Sequence, residues 1–596
     1  MDMIFHLGRF IICALWIIVL QMAGKVSPAI CADAHARPFP ALYAQPQIYQ
    51  TAIANAQRIP SLTPAVTGLT IPHHALAVEL MASTLALARA QEYERIVIFG
   101  PDHFCRGKTF FSVSIRPFST CFGPVPIDTQ AIRHVMTNPH VSSSNLFSHE
   151  HGVQAVLPLV AHYFPRVPVL AMAIHPAAKK DDWDTLVQTL LPVISPKTLI
   201  IQSTDFSHYL SWPKASIHDQ ETLHILASGN ADAISLLQQP GHLDSRGAQY
   251  VHMKLQDLTW KARPTVLANA NSCEFVSPQE AMPKETTSYI VQIYSPHILP
   301  SITLPTRGAP RARYFFAGDF FTGRFVTTQL AGPAQKQKFL DMILAHTRGA
   351  PLILNFEGVL APRCPPEYRT GAAQGQILPP AQWQLCMPQE LTLEMLNALH
   401  VAAVSLANNH SYDHGPQGYQ QTKNILEEHG IRVVESGQIT SFSDFNLVAW
   451  TDVENSHPKR RNLLTRNDLI IPSEALTQKP LWALMHWGQE GRPKPGPREE
   501  WLARHVHDLG VSLIVGHHPH RAGELYGNSY GLTVWSLGNF LFDQAESRAD
   551  GALLEVNIFP QGSFWVRSIP LDPFFILRTK SGSWKNAQAE TIRAQE

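Results

Sequence analysis

Short apolar runs along this chain repeatedly end on polar side chains. Arg95-Ile-Val-Ile-Phe-Gly-Pro stops at Asp102-His103, Leu199-Ile-Ile-Gln-Ser-Thr at Asp205, Tyr314-Phe-Phe-Ala-Gly at Asp319, and Leu352-Ile-Leu at Asn355-Phe-Glu357. The pattern returns at Val401-Ala-Ala-Val-Ser-Leu-Ala before Asn408-Asn409-His410, at Leu481-Trp-Ala-Leu-Met before His486, and at Ser512-Leu-Ile-Val-Gly before His517-His518-Pro-His520. Runs of this length bounded by polar residues read as buried strands. Helical stretches lie between them at Leu76 to Gln91, Trp183 to Leu191, Leu391 to Leu399 and Glu499 to Leu509. Such alternation predicts an α/β chain of mainly parallel sheets covered by helices. Ligands of open α/β sheets bind beyond the carboxyl ends of the strands, so polar groups recurring there mark candidate sites.

A chain of 596 residues exceeds the roughly 250 to 300 at which single cores stop growing, so two domains are expected. The proline-rich, aperiodic stretch 296–312 reads as an extended linker. It divides residues 40–295 from 313–575, with a polar tail over 576–596. Basic and acidic residues balance at 47 each, so no net field favours nucleic acid, and a small molecule or an extracellular polymer fits better as partner. His6 and Arg9, an apolar run from Phe10 to Met22 and small residues around Ala29, Ala32 and Ala34 predict a signal peptide over 1–34 and export to the periplasm or envelope. An uncleaved N-terminal segment is the one membrane attachment that remains open. Export permits disulfides, and Cys364 with Cys386 would close a Pro/Gly/Gln-rich insertion spanning Ala361 to Met387, placed to act as a rim or lid. Cys105 with Cys121 is a weaker second pair.

In the second half, Asp319, Glu357, Asn409, His410, His486, His518 and His520 all stand at strand ends, and a divalent cation needs such oxygen and imidazole donors on a rigid frame. Singly each has a structural reading; together, burial without a cation or ion pair would cost several kcal/mol. Ala-Gly-Asp319, Asn355-Phe-Glu357-Gly, Leu-Ala-Asn408-Asn409-His410-Ser-Tyr-Asp413-His414-Gly, His486-Trp-Gly, Val-Gly-His517-His518-Pro-His520 and Ser536-Leu-Gly-Asn539-Phe-Leu-Phe-Asp543 resemble the capsule-synthesis CapA family, the poly-γ-glutamate synthesis proteins, over roughly Arg313 to Leu571. That family is similar to calcineurin-like metallophosphoesterases, with a layered αββα fold and a two-metal site. The resemblance implies Asp319, Asn409, His486, His518 and His520 as ligands of Mn, Fe or Zn and His410 as a catalytic acid, with Asn355, Asp413 and His517 in support. Gly-Asp319-Phe-Phe lacks the Asp-x-His opening of phosphoesterases, so the first metal position is expected to be poorer.

In the first half, Ile71-Pro-His73-His74, Gly100-Pro-Asp102-His103, Glu150-His151 and Ser203-Thr-Asp205-Phe-Ser-His208-Tyr209 resemble the Memo-like family, known in bacteria as AmmeMemoRadiSam system protein B, over roughly Val66 to Tyr294. Its fold is similar to that of class III extradiol dioxygenases. The resemblance implies a pocket of His73, His103 and His208 with Asp205 beside the last, binding iron or copper. The family's Cys-Gly step reads Arg246-Gly247 here, so its pocket cysteine is absent.

Together these readings predict an exported two-domain protein whose second half is a metal-dependent hydrolase or assembly factor acting on a polymer such as poly-γ-glutamate. A non-catalytic polymer-binding protein and a non-haem-iron oxygenase in the first half are the alternatives.

Overall fold

The apolar run at Arg95–Pro101 becomes a central strand, and every residue from Ile96 onward is buried, as a strand covered on both faces requires. The computed structural model describes residues 36–275, 283–364, 384–454, 463–476, 479–543 and 550–571. The expected signal peptide, the polar tail and the centre of the disulfide-closed insertion lie outside the described residues. Among the described residues no helix is long and apolar enough to cross a membrane.

The first domain is built on β1 (Gly68–Ile71), β2 (Arg95–Pro101), β3 (Phe111–Val113), β4 (Val141–Ser143), β5 (Val169–Ile174), β6 (Thr198–Ser203), β7 (Phe206–Leu210), β8 (Arg263–Asn271) and β9 (Thr286–Ser295). They form one mixed sheet in the order β8-β9-β1-β6-β2-β5-β3-β4, with β7 paired to β9. Strands β1, β6, β2 and β5 are mutually parallel, so their carboxyl ends share one edge. The principal helices are α1 (Val78–Ala88), α2 (Lys180–Leu190), α3 (Trp212–Ser228) and α4 (Arg246–Trp260).

The second domain packs two sheets face to face. One contains β10 (Ala312–Phe320), β11 (Leu352–Phe356), β12 (Val401–Ser405) and β13 (Arg432–Val434), all parallel. The other contains β14 (Asn446–Thr451), β15 (Leu481–His486) and β16 (Val511–His517), also parallel, followed by β17 (Leu525–Gly527) and β18 (Leu532–Val534). After these, β19 (Asn539–Leu541) pairs with β10, and β20 (Gly551–Ile558) and β21 (Phe564–Leu571) extend the first sheet antiparallel, leaving β21 at its edge. Phe316 and Ile353 of one sheet meet Trp482, Leu484 and Val515 of the other, and Phe445 stacks on Trp482 at 4.1 Å. Helices α5 (Pro333–Thr347), α6 (Gln389–Ala398) and α7 (Gly415–Glu428) accompany the first sheet and α8 (Pro497–Asp508) covers the second, giving an αββα layering.

The segment between the domains is packed rather than free: Leu299 and Leu304 are buried in the first core, and Arg567 donates to the Leu299 carbonyl. Helix α3 lies along β21, where the Gln220 amide exchanges two hydrogen bonds with the Phe564 backbone, at 3.0 and 2.8 Å. Trp565 is buried in the first domain's core.

Candidate metal centres

Asp319 reaches its position through a close backbone approach. A Cβ at Gly318 would stand 1.9 Å from the Gly538 carbonyl, so only glycine lets β10 lie against the turn into β19. Asp319 is fully buried. Its Oδ1 accepts from Asn355 Nδ2 at 2.8 Å, and its Oδ2 lies 3.2 Å from His520 Nδ1. Asn355 is the hub of the floor: it also donates to Glu357 at 3.3 Å, and its own oxygen accepts from Asn408 Nδ2 at 3.1 Å.

Two overlapping donor groups result. Glu357, His486 and His518 form one, Asp319, Glu357 and His520 the other, each with ligand atoms within 4.8 Å of one another. Glu357 belongs to both and is the natural bridge. Asn409 Oδ1 sits 2.8 Å from His486 Nε2, adding an oxygen to the first group. His518 and His520 adopt left-handed backbone conformations, φ +95° and +54°, on either side of Pro519. Such backbone is costly away from glycine and persists where surrounding contacts fix it.

The electrostatics of the cluster suit a divalent cation. Burial and the Asp319 charge push the Glu357 carboxyl well above its usual range. Burial opposes ionisation of Asp319 too, but its hydrogen bond to His520 and the neighbouring imidazoles hold it well below the carboxylate range. Burial would lower His520, yet Glu357 and Asp319 raise it to about 10. Burial and His520 lower His518 to about 3, and its buried Nδ1 has no hydrogen-bond partner among the described residues. An all-nitrogen-and-oxygen set with an orphaned imidazole nitrogen fits a hard or borderline divalent ion. His410 stands at the rim, with Nδ1 bound to Asp413 at 2.8 Å and Nε2 4.0 Å from Glu357.

In the first domain His73, at the end of β1, and His103, after β2, meet with ring centroids 5.0 Å apart. His103 Nδ1 is held by Glu150 at 2.6 Å, and His151 stacks on His103 at 4.1 Å. Asp205 accepts from the His73 backbone at 3.0 Å, and a further carboxylate, Asp244, comes to 3.2 Å from His73 Nε2.

The Memo-like protein family model matches residues 47–283, and the model for the bacterial capsule synthesis protein PGA_cap matches 313–443 and 477–544. The chain joins a Memo-like domain to a PGA_cap domain. The PGA_cap region is similar to the Capsule biosynthesis protein CapA of Bacillus anthracis, 27% identical over 31% of this chain and 51% of that one. It is also similar to the PGA biosynthesis protein CapA of Bacillus subtilis strain 168, 29% identical over 43% of this chain and 70% of that one. The Memo-like region is similar to a MEMO1 family protein of Thermotoga maritima, 30% identical over 19% of this chain and 42% of that one. The chain thus spans about half the length of the first of these relatives and less than half of the last.

Some sites differ from the sequence expectations. In the Memo-like domain, His208 joins none of the close donor groups among the described residues; His151 and Asp244 take places there. His208 follows β6 on the short strand β7, whose pairing to β9 carries it to the side of His74. Cys105 and Cys121 are not bridged: the first is exposed in the turn after β2, the second lies at the tip of the Phe118–Val125 hairpin. Cys364 and Cys386 are bridged, with Cα atoms 5.7 Å apart, while the centre of the expected rim or lid, residues 365–383 of Ala361 to Met387, lies outside the described residues. In the PGA_cap domain His517 points away from the donors and bonds the Ala317 carbonyl at 3.2 Å, pinning β16 to β10. Glu490, unremarked in the sequence, comes within ligand distance of His518 and His520. It lies in a loop after β15 rather than at a strand end, which is why strand-end reasoning missed it, and no local sequence pattern marks it. A cavity of about 220 Å³ opens beside Pro519, walled by Trp487 and Trp535 and edged by Arg492 and Lys494.

Proposed function

We propose that the PGA_cap domain is a metal-dependent hydrolase acting on an anionic polymer of the cell envelope, such as poly-γ-glutamate, in an exported protein. The observation that carries this reading is the pair of buried donor groups sharing Glu357, with His410 facing them from the rim. One ion would be held by Glu357, Asn409, His486 and His518, a second by Asp319, Glu357 and His520, with Glu490 in reach. When bound, such ions polarise the bond to be cut and acidify water. The chain's own groups do the rest. Asp413 fixes the His410 ring so that Nε2 faces the centre, where it hands a proton to the leaving group. Arg492 and Lys494, both exposed at the neighbouring cavity, suit the carboxylates of such a polymer. The capsule-related names of the relatives support the same substrate class.

The test is elemental analysis of the wild type beside a variant carrying Asp319→Ala, Asn409→Ala, His486→Ala and His518→Ala, both then assayed on poly-γ-glutamate and a generic phosphodiester. Two metal equivalents and turnover, lost together in the variant, are the expected result. Saturable polymer binding with no product released by the metal-loaded wild type would replace hydrolysis by a binding or assembly role.

A further inference from the structure

Beyond the end of β5, where β3 enters the Memo-like sheet, lies a cavity of about 370 Å³ lined by Gly107, Lys108, Thr109, Phe110, His140 and His175. None of these residues belongs to the donor groups of the histidine pocket. The walls follow from strand register. Strand β3 runs antiparallel to β5 and parallel to β4, so the residues leading into β3 meet the one after β5 and the one before β4. The Phe111 N–H donates to the His140 carbonyl at 3.0 Å and the His175 N–H to the Phe110 carbonyl at 2.9 Å, which sets the two histidines on either side of Phe110. The Phe110 and His140 rings stack with centroids 5.6 Å apart and planes 19° apart. Gly107 brings the loop in closely: a Cβ there would stand 2.7 Å from Ser112 Oγ and 3.0 Å from Asp102 Oδ2.

The charge of the cavity is one-sided. Lys108 is exposed and has no ion-pair partner among the described residues, and no carboxylate belongs to the lining. Asp102, on the same loop, is buried with its oxygens taken by the Arg106 and Gly107 N–H groups at 3.0 and 2.7 Å, and the Arg106 guanidinium lies over the Phe104 ring. His175 Nδ1 accepts the Ala177 N–H at 3.1 Å, so in the neutral ring Nε2 carries the proton and is the donor. We propose that this cavity binds a small aromatic carboxylate, its ring against Phe110 and His140 and its two oxygens on Lys108 Nζ and His175 Nε2. Flat rings pack favourably on aromatic faces, and an ammonium and an imidazole N–H supply the two donors that a carboxylate accepts. A single fixed positive charge balances a monoanion, whereas a phosphate dianion would keep one charge uncompensated. The volume sits at the small end of ligand pockets.

The experiment is calorimetric titration of the full-length chain with benzoate, beside phenol, acetate and phenyl phosphate. Benzoate is expected to saturate a site that the neutral ring and the ringless acid each fill at least about 10-fold more weakly. Lys108→Ala should weaken benzoate by about 10-fold, the scale of one lost charge-assisted hydrogen bond, and Lys108→Glu should abolish its binding. His140→Ala should weaken it by roughly 3- to 10-fold through the lost ring contact. Lys108 and His140 are both exposed, so these variants keep the fold, and benzoate caught by an ion elsewhere in the chain would be indifferent to them. Absence of saturation in the wild type, or unchanged affinity in Lys108→Glu, overturns the proposal; phenyl phosphate binding more tightly than benzoate overturns the choice of a carboxylate.

Discussion

Asp413 Oδ2 lies 2.8 Å from His410 Nδ1 and also accepts from the Leu385 N–H at 2.6 Å. One carboxylate therefore ties the candidate acid to the strand that begins at the bridged Cys386.

From this tie, His410→Gln should lower kcat on poly-γ-glutamate by 10²- to 10⁴-fold, the usual scale for general acid catalysis, while metal content stays unchanged. Asp413→Asn should lower it less, because the ring keeps its nitrogen and loses only its orientation. Steady-state kinetics beside elemental analysis checks both, and loss of metal in His410→Gln would refute the assigned role.

Glu490 is expected to complete the donor positions around His518 and His520. Glu490→Gln should weaken one metal equivalent by at least the 10- to 100-fold typical of lost supporting groups, leaving the other equivalent tight. Competition against a chelator distinguishes this stepwise loss from uniform weakening.

The Cys364–Cys386 bridge closes 22 residues of sequence separation, and loop-closure entropy assigns such a link about 3 kcal/mol. Denaturant titration of Cys364→Ser/Cys386→Ser should show a loss of that order. Because Leu385 also holds Asp413, kcat should fall as well, with both metal equivalents retained.

His224 on α3 is buried against the PGA_cap domain, with Nδ1 3.2 Å from the Asn528 carbonyl and its ring beside Phe564. Burial, with His507 nearby, lowers its pKa from 6.5 to about 3. The folded state therefore keeps it neutral while the unfolded chain protonates it. Its contribution is intact above pH 6.5, declines as pH falls toward 3 by up to about 1.4 kcal/mol per unit, and is flat below. Thermal melts across that window should show a shallower acid slope for His224→Gln; an unchanged slope would show that His224 does not titrate there.

Much of the architecture was legible in the sequence, because short buried strands and amphipathic helices carry their periodicity on the surface of the text. The stretches read at Leu76 to Gln91, Trp183 to Leu191, Leu391 to Leu399 and Glu499 to Leu509 match helices Val78–Ala88, Lys180–Leu190, Gln389–Ala398 and Pro497–Asp508 within a turn. Strand-end reasoning found Asp319, Glu357, His486, His518 and His520, since parallel strands deliver their carboxyl ends to one edge. It could not find Asp244 or Glu490, which arrive from a turn before a helix and from a loop, where direction depends on tertiary packing. It took His518 for a ligand and its neighbour His517 for a supporting group; in the structure His518 faces the donors while His517 turns to the Ala317 carbonyl.

The Gln220–Phe564 exchange has a meaning for solubility. Strand β21 is the open edge of its sheet, and an uncovered edge with free N–H and C=O groups invites pairing with other chains. Gln220 caps that edge with a side-chain amide while α3 lies over it, so the Memo-like domain serves as a built-in guard against edge-to-edge aggregation of its neighbour.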